Sequence, residues 1–367
     1  MANAEKMYFS VIPMETKEIP TPKETKGGGK RYVSWGEQNN YPEYLWGLYT
    51  RSSLEQSIIN GICDFVHGDG VTAVDPNISY TKINKDGETL DDVISKVLVD
   101  FSIFGGFALN IIFSHEHKIA EIYWLDMRKV RVDEYERKAY VADKWKWGVK
   151  PIESPLFDKA LIEESWKTDK PINSCVFYYK GKLTRSIYPV PMYSGALPAI
   201  ETSCEIANFH LRNILNNMEP SAIITFQNGV PTQEEQKKIE RRIQEKWSGS
   251  SNAGKFMLNF CDDPDHGVKI ERLTEDKQDE KFKTLSQSTM KEIFVAFRAT
   301  PALFGVNPEN NGFSKEEFLQ AFELYNKTVI TPMQKEIIRC FNKIYGVDNA
   351  FNFIPFELSP IENIATE

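Results

Sequence analysis

Three short stretches of the chain carry residue types that could support chemistry. Residues 249–255 have the G-x-x-x-x-G-K spacing of a phosphate-binding loop. Such a loop needs a strand before it, a helix after it, and a Ser or Thr following the lysine to hold Mg²⁺. Here a predicted helix precedes the motif, a predicted strand follows it, and Phe256 comes after Lys255. We therefore interpret the match as coincidental and the stretch as a flexible loop.

The other two stretches hold potential metal ligands. His115 and His117 are separated by one residue in a predicted turn, with no cysteine nearby. Asp262, Asp263 and Asp265 form an acidic run without the spacing or the closing glutamate of a calcium loop. Both patterns are typical of solvated turns, so we predict no metal site, no cofactor and no catalytic residue. A divalent ion held by the aspartates at a subunit contact stays open.

The sequence also shows no recognisable nucleophile and base. Its five cysteines are scattered without a C-x-x-C pair, at Cys63, Cys175, Cys204, Cys261 and Cys340. An odd and dispersed set is typical of reduced, mostly buried thiols. The enzyme hypothesis is therefore an alternative only, a metal-dependent nuclease or nucleotidyl-processing protein that would use the aspartate run.

Composition indicates a globular protein with a net charge of −8. That charge argues against a conventional DNA-binding domain, which would be basic. The chain has no run of about 18 apolar residues, so we expect no transmembrane helix. The N-terminus lacks the charged and then apolar layout of a signal peptide, and we expect synthesis in the cytosol.

The elements that must position any site follow from hydrophobic periodicity. Residues 1–29 are rich in Lys, Glu, Thr and Pro, which predicts a flexible or partner-bound arm. Apolar residues recur at helical spacing from Tyr41 to Ile62, and again from about Thr89 to Phe104. Between residues 107 and 190 the period becomes that of short strands. The combination predicts an α+β fold with an antiparallel sheet.

The second half of the chain is predicted to be mainly helical, with one small insert. A helix over residues 195–218 ends at Pro220 and is followed by a strand–helix–strand unit. Thr232 and Glu235 form a capping box that opens the helix of this insert. Another helix follows from Thr274 to about Phe297. An insert this small has too little core to stand alone, so neighbouring copies would have to support it.

The stretch after that helix is the most distinctive in the chain. The chain turns at Pro301, reaches Gly305, and passes through the polar loop Asn307-Pro308-Glu309-Asn310-Asn311-Gly312. A second long helix is predicted from the capping box of Ser314 and Glu317, with a kink at Pro332. This passage from helix through Pro-x-Leu-x-Gly and polar loop to helix resembles that of bacteriophage portal proteins, in their HK97-like and SPP1-like branch.

The resemblance covers roughly residues 30–345 and implies a division of the chain. It implies a flexible arm at residues 1–29, a wing at 30–194 and two stem helices at 195–218 and 274–299. It further implies a clip at 219–273, a tunnel loop at 300–314, a long wing helix at 315–346, and a C-terminal strand and tail at 347–367. The longer members of the family carry a helical crown that the C-terminal residues here do not resemble.

The resemblance also implies a function. Portal proteins form rings of twelve copies at one capsid vertex, as the head–tail connector through which the genome is packaged and ejected. Expected partners are further copies of the chain, double-stranded DNA passing through the channel, the major capsid protein, terminase and head–tail adaptor proteins, with no membrane. The expected location is the virion, after synthesis in the host bacterial cytoplasm. The acidic net charge is compatible with such a channel. A basic wall would neutralise phosphates, and each neutralised phosphate would add affinity and hold the DNA in place.

By the same resemblance, particular residues gain expected roles. The DNA-facing tunnel loop would be Asn307, Glu309, Asn310, Asn311 and Gly312, with Pro301 and Gly305 forming the turn into it. The clip residues facing adaptor or terminase would be Lys237, Lys238, Arg241, Arg242 and Trp247. A solvated helix face with interleaved glutamates is the simpler interpretation of that basic set. A different ring-forming virion scaffold is the further alternative to a portal.

Overall fold

The chain divides into two structural units. A computed structural model describes residues 19–26, 31–76, 78–146, 148–181, 185–215, 220–226, 234–235, 237–238, 255–260, 278–306 and 315–356. Unit 1 comprises Met1–Gly47, Ile59–Met192 and Thr328–Glu367. Unit 2 comprises Leu48–Ile58 and Tyr193–Lys327. Among the described residues, no helix is both long enough and apolar enough to cross a membrane.

The first half of the chain supplies four helices. They are α1 (Tyr41–Arg51), α2 (Ser53–His67), α3 (Leu90–Phe104) and α4 (Lys159–Ser165). The helical stretch predicted from Tyr41 is interrupted at Ser52, whose hydroxyl accepts a hydrogen bond from the Glu55 N–H at 3.2 Å. The predicted helix at residues 89–104 is confirmed as α3. Thr89 and Asp92 form its capping box, and Gly105 ends it in a left-handed conformation.

Twelve strands are described. They are β1 (Glu24–Thr25), β2 (Ser34–Trp35), β3 (Val71–Ala73), β4 (Phe107–Phe113), β5 (Ile119–Leu125), β6 (Val130–Val132), β7 (Lys138–Val141), β8 (Ile152–Pro155), β9 (Ser174–Tyr179), β10 (Pro220–Phe226), β11 (Lys255–Phe260) and β12 (Phe351–Phe353). Unit 1 holds two antiparallel three-stranded sheets, in the orders β5-β4-β9 and β6-β7-β8. The α+β class and the antiparallel sheet predicted from the sequence are therefore confirmed.

The N-terminal segment differs from its prediction where it is described. Glu24 and Thr25 were expected in the flexible arm, but β1 pairs antiparallel with β2. The Glu24 carboxylate accepts a hydrogen bond from the Tyr188 N–H at 2.9 Å, and the Tyr188 ring stacks on Trp35. This pairing gives the short strand partners that its own sequence does not reveal.

The described part of unit 2 contains three further long helices. They are α5 (Leu197–Leu215), α6 (Gln278–Ala296) and α7 (Lys315–Tyr325). α5 and α6 lie side by side, and Phe209 stacks on Phe282 between them with ring centroids 4.8 Å apart. The insert joining them contains β10 and β11, which pair in parallel over Pro220–Phe226 and Lys255–Phe260. The two predicted flanking helices and the two predicted strands are confirmed there, and the predicted helix between the strands lies mostly outside the described residues.

The long helix predicted after Ser314 is not continuous. α7 leads into a π-helical segment at Asn326–Ile330, and α8 (Thr331–Tyr345) follows. Pro332 lies in the first turn of α8, so the expected irregularity is present just before it. The cause is local, because proline has no N–H to donate to the carbonyl four residues earlier. The division between the units falls within this π segment, after Lys327.

Candidate functional site

The end of α6 forms a tight turn centred on Arg298. The Ala299 N–H donates to the Phe294 carbonyl at 2.9 Å, and the Arg298 N–H donates to the Val295 carbonyl at 3.0 Å. These two bonds define a Schellman motif, in which the residue after the helix adopts a left-handed conformation. Arg298 has φ of 53°, a position that glycine usually occupies. Its neighbours Phe297 and Ala299 are buried, whereas Arg298 is exposed.

A second turn with the same hydrogen bonds follows immediately. Pro301–Phe304 forms one turn of 3-10 helix, which Pro301 opens. The Val306 N–H donates to the Pro301 carbonyl at 3.0 Å, and the Gly305 N–H donates to the Ala302 carbonyl at 3.4 Å. Gly305 has φ of 71°. The predicted turn residues Pro301 and Gly305 therefore begin and end this turn.

Aromatic rings support both turns from inside unit 2. Phe297 stacks on Tyr193 with ring centroids 4.7 Å apart. Phe304 lies 6.0 Å from Phe294 and 6.1 Å from Tyr325, again measured between ring centroids. Tyr325 belongs to α7, so the second turn fixes the end of α6 against the helix that follows the loop. The backbone that leads into the predicted tunnel loop, up to Val306, is therefore held by packing.

A buried carboxyl group lies beside Tyr193. Glu55 in α2 is fully buried. Burial raises the pKa of Glu55 to about 8, and the Tyr193 hydroxyl and the Arg51 guanidinium oppose this only in part. Arg51 forms an ion pair with Glu201 at 3.2 Å. Glu55 is therefore mostly protonated at neutral pH.

Most of the predicted site residues cannot be placed. Asn307, Glu309, Asn310, Asn311 and Gly312 lie outside the described residues, as do Arg241, Arg242 and Trp247. Lys237 and Lys238 are helical and exposed. The predicted tunnel-loop and clip roles stay predictions. Of the whole predicted set, the described structure brings together only Pro301 and Gly305.

The sequence interpretation missed several exposed side chains of unit 2. Val295 on α6 is 77% exposed, and Leu324 and Leu319 on α7 are 63% and 42% exposed. In the sequence, Val295 lies four residues after Lys291 and three before Arg298. These flanking cations were the signal that could have indicated an exposed position. Single exposed apolar residues are common, so Val295 alone does not indicate an interaction surface, and the flanking charges are needed to support one.

The residues that could support chemistry do not form an active site where they are described. β11 begins at Lys255, so a strand follows the G-x-x-x-x-G-K motif and no helix does. The His117 ring stacks on Trp166 at 4.5 Å in unit 1. No cluster of three or more His, Cys, Asp or Glu side chains suited to a metal occurs in the described part of the chain. Asp262, Asp263 and Asp265 lie outside it.

One Ser–His–Asp group in unit 1 has the wrong geometry for nucleophilic catalysis. His67 Nε2 lies 3.0 Å from Asp91 Oδ1 and 3.2 Å from Ser95 Oγ. A catalytic triad needs the serine on one ring nitrogen and the carboxylate on the other. Here both partners share Nε2, so the imidazole cannot take a proton from the serine while the aspartate orients it.

Two curated proteins are similar to part of the chain. The chain is 30% identical over 143 residues to an uncharacterised protein of Rickettsia felis, covering 38% of this chain and 35% of that protein. It is 21% identical over 165 residues to the probable portal protein of Haemophilus phage HP1, covering 45% of this chain and 47% of that protein. The chain thus spans about a third to a half of the length of these relatives.

Solved structures are similar over more of the chain. The neck of a native GTA particle, computed with C12 symmetry, gives a TM-score of 0.53 at 15% identity and covers 87% of this chain and 86% of that one. An HK97 family phage portal protein from Corynebacterium diphtheriae gives 0.50 at 11% identity, with 84% and 94% covered. The family model of phage portal proteins matches residues 81–363. The chain therefore belongs to the phage portal protein family.

Proposed function

We propose that this chain is the portal of a tailed-phage-like particle. Copies of it close into a ring of twelve at one capsid vertex, and the ring forms the head–tail connector through which DNA is packaged and ejected. The match of residues 81–363 to the portal family carries this proposal. The similarity to a particle neck computed with C12 symmetry supports the copy number. The ring is a component of the virion, made in the cytoplasm of its host.

The division of the protomer is part of the proposal. We assign residues 30–194 to the wing, 195–218 and 274–299 to the stem, 219–273 to the clip, and 315–346 to the helix returning to the wing. The boundary of unit 1 at Met192 lies close to the proposed end of the wing, and unit 1 also includes residues from Thr328 onward. Both observations support a wing assembled from the two ends of the chain.

The site residues follow from that assignment. Asn307, Glu309, Asn310, Asn311 and Gly312 line the channel and meet DNA with neutral or acidic groups that let it slide. Lys237, Lys238, Arg241, Arg242 and Trp247 face terminase and the adaptor proteins, while the wing meets the major capsid protein. The portal acts by shape and assembly, without catalytic turnover. The exposed, helical Lys237 and Lys238 are consistent with a docking face.

Electron microscopy of the purified protein, with native mass measured on the same sample, tests the ring. We expect closed rings near twelvefold symmetry with a central channel wide enough for duplex DNA. A compact monomer or dimer at every concentration would contradict the proposal and bring the enzyme hypothesis forward. The clip is tested by the double reversal Lys237→Glu and Arg241→Glu, which should leave rings intact and reduce tail joining or packaging. Normal particle yield from that variant would remove these residues from the clip interface.

A further inference from the structure

The exposed surface at the end of α6 carries a stripe of three side chains. Lys291 and Val295 lie one turn apart on one side of α6, and Arg298 lies in the turn that follows the end of this helix at Ala296. All three are exposed, and Val295 is 77% exposed. Neither Lys291 nor Arg298 forms an ion pair with another described residue. The stripe therefore presents an apolar side chain between two exposed cations.

A stripe of opposite charge lies on α7. Glu316, Leu319 and Glu323 occupy positions i, i+3 and i+7 on its exposed side. Leu319 is 42% exposed, and the Glu323 side chain is 67% exposed. The opposite side of α7 is turned inward, with Tyr325 buried against Phe304. Glu323 forms an ion pair at 2.6 Å with Lys327 of the π-helical segment that follows α7, an exposed pair that a better partner can displace.

The two stripes match in length as well as in charge. Each spans eight residues, from Lys291 to Arg298 and from Glu316 to Glu323. At a rise of about 1.5 Å per residue, the seven steps of the α7 stripe extend about 10 Å, and the other stripe is helical as far as Ala296. Each stripe places its apolar residue in the middle, so the apolar side chains can meet while both ends form ion pairs. Such an arrangement has the apolar centre and polar rim of a protein interface.

The stripes lie on different helices of one chain, which fixes the kind of contact they can make. A contact between two different surfaces of identical copies is heterologous, and it generates either a closed ring or an open filament. A nucleic acid would suit the cationic stripe alone and leave the acidic stripe without a function. The complementary charges therefore favour a second copy of this chain as the occupant of each stripe.

We propose that the Lys291–Val295–Arg298 stripe of one copy docks on the Glu316–Leu319–Glu323 stripe of the adjacent copy. This inference rests on the ring of the proposed function and names a contact that closes it. Val295 packs against Leu319, and the two cations pair with the two glutamates. Charge complementarity then sets the direction of assembly, because two cationic stripes or two acidic stripes repel each other.

Paired charge reversals test the contact in the full-length protein. One variant carries Lys291→Glu with Arg298→Glu, and a second carries Glu316→Lys with Glu323→Lys. Each places like charges at every proposed contact, and we expect the protein concentration needed for half-maximal assembly to rise at least about 100-fold. The measurement is native mass across a dilution series, with circular dichroism to verify that each variant is folded.

Mixing the two variants gives the decisive measurement. In a mixture of equal parts, alternating copies restore opposite charges at every contact, so rings should reform with equal numbers of both variants. A single chain carrying all four reversals should also assemble. The controls are Lys283→Glu on α6 and Glu205→Lys on α5, which make the same kinds of charge change at exposed positions outside the stripes. We expect both controls to assemble as the unmodified protein does.

The outcomes separate this contact from the ring itself. Unmodified protein that stays monomeric would overturn the ring and this contact together. Rings formed equally well by the unmodified protein and by both reversed variants would overturn the contact alone. Loss of assembly in each variant without recovery in the mixture or in the fourfold variant would also overturn the pairing, because the charges would then matter for some other reason.

Discussion

The turn at Arg298 and the turn at Gly305 use the same two backbone hydrogen bonds, but different residues hold the left-handed position. Gly305 is the residue expected there, because glycine has no Cβ to clash in that conformation. Arg298 is a long cation with φ of 53°. A left-handed residue other than glycine costs roughly 1–2 kcal/mol. Two consecutive copies of one motif therefore differ in the backbone strain they contain.

The difference is not a matter of available space. A Cβ at Gly305 would have no heavy atom within 4 Å, so a side chain would fit there as well. What differs between the two positions is what a side chain would contact at the protein surface. At Arg298 the strain keeps a guanidinium one turn beyond Val295, at the end of the proposed contact stripe. Under the proposed contact, the strained backbone position places the Arg298 side chain at the surface between copies.

The two turns also differ in what lies beneath them. Tyr193 supports the first turn by stacking on Phe297, and it lies beside the buried Glu55. Phe304 supports the second turn from a purely aromatic cluster with Phe294 and Tyr325. Only the first turn is therefore expected to respond to the protonation of a neighbouring group. This difference between the two turns can be tested by changing the pH or by mutation.

The largest expected effect comes from pH at Glu55. Its pKa is raised from 4.5 to about 8 in the folded protein, so the folded state binds more protons than the unfolded state between these values. The contribution of Glu55 is fully present below about pH 4.5 and is lost as the pH rises through about 8. At about 1.4 kcal/mol per pKa unit, the loss in the free energy of unfolding is up to about 5 kcal/mol.

Comparing the unmodified protein with Glu55→Gln isolates this contribution from those of other titrating groups. Urea unfolding measured between pH 5 and pH 9 should show a steeper decline for the unmodified protein than for the variant. Hydrogen exchange should show the same contrast locally, with the Ala299 amide losing protection at high pH and the Val306 amide losing less. Parallel pH profiles for the two proteins would contradict the raised pKa of Glu55.

The second effect tests the glycine. Replacing Gly305 by valine forces a β-branched residue into the left-handed region, where the steric cost lies in the backbone rather than in packing. We expect the free energy of unfolding to fall by about 2 kcal/mol, measured by the urea midpoint. Gly305→Asn is the matched control, because asparagine tolerates this conformation, and it should lose less. Equal losses for both variants would show that the side chain, not the backbone, is at fault.

The sequence predicted one of these turns better than the other. Proline and glycine mark the turn at Pro301 and Gly305 because each has a backbone preference that other residues lack. The α3 boundaries were equally clear, since Thr89, Asp92 and Gly105 are capping residues. Arg298 carries no such signal, because arginine favours a continuing helix. Its left-handed conformation follows from tertiary packing of Phe297 and Ala299, which one sequence does not display.

Exposure was the other property beyond the reach of the sequence. The spacing of Lys291, Val295 and Arg298 could be counted, but a valine on a helix is expected to face the core. The spacing of Ile293 and Phe297 places both on one side of the helix, and the structure shows that these two and Phe294 occupy the core instead. The pairing of β1 with β2 was missed for a related reason. Its residues are polar, and their partners lie on distant segments.

The smallest expected effect distinguishes the backbone strain at Arg298 from the role of its exposed side chain. Arg298→Gly removes the cost of the left-handed arginine but adds backbone freedom to the unfolded chain, so we expect a gain of about 0.5–1 kcal/mol in the free energy of unfolding. The same substitution removes a cation from the proposed stripe and should weaken ring assembly about tenfold. Arg298→Lys is the matched control, because it keeps the charge and the strain and should leave both quantities nearly unchanged. A residue kept only for the fold would show the reverse, with Arg298→Gly less stable and assembly unaltered. More stable protomers that assemble less well would mean that the strain at Arg298 is maintained for a contact between copies.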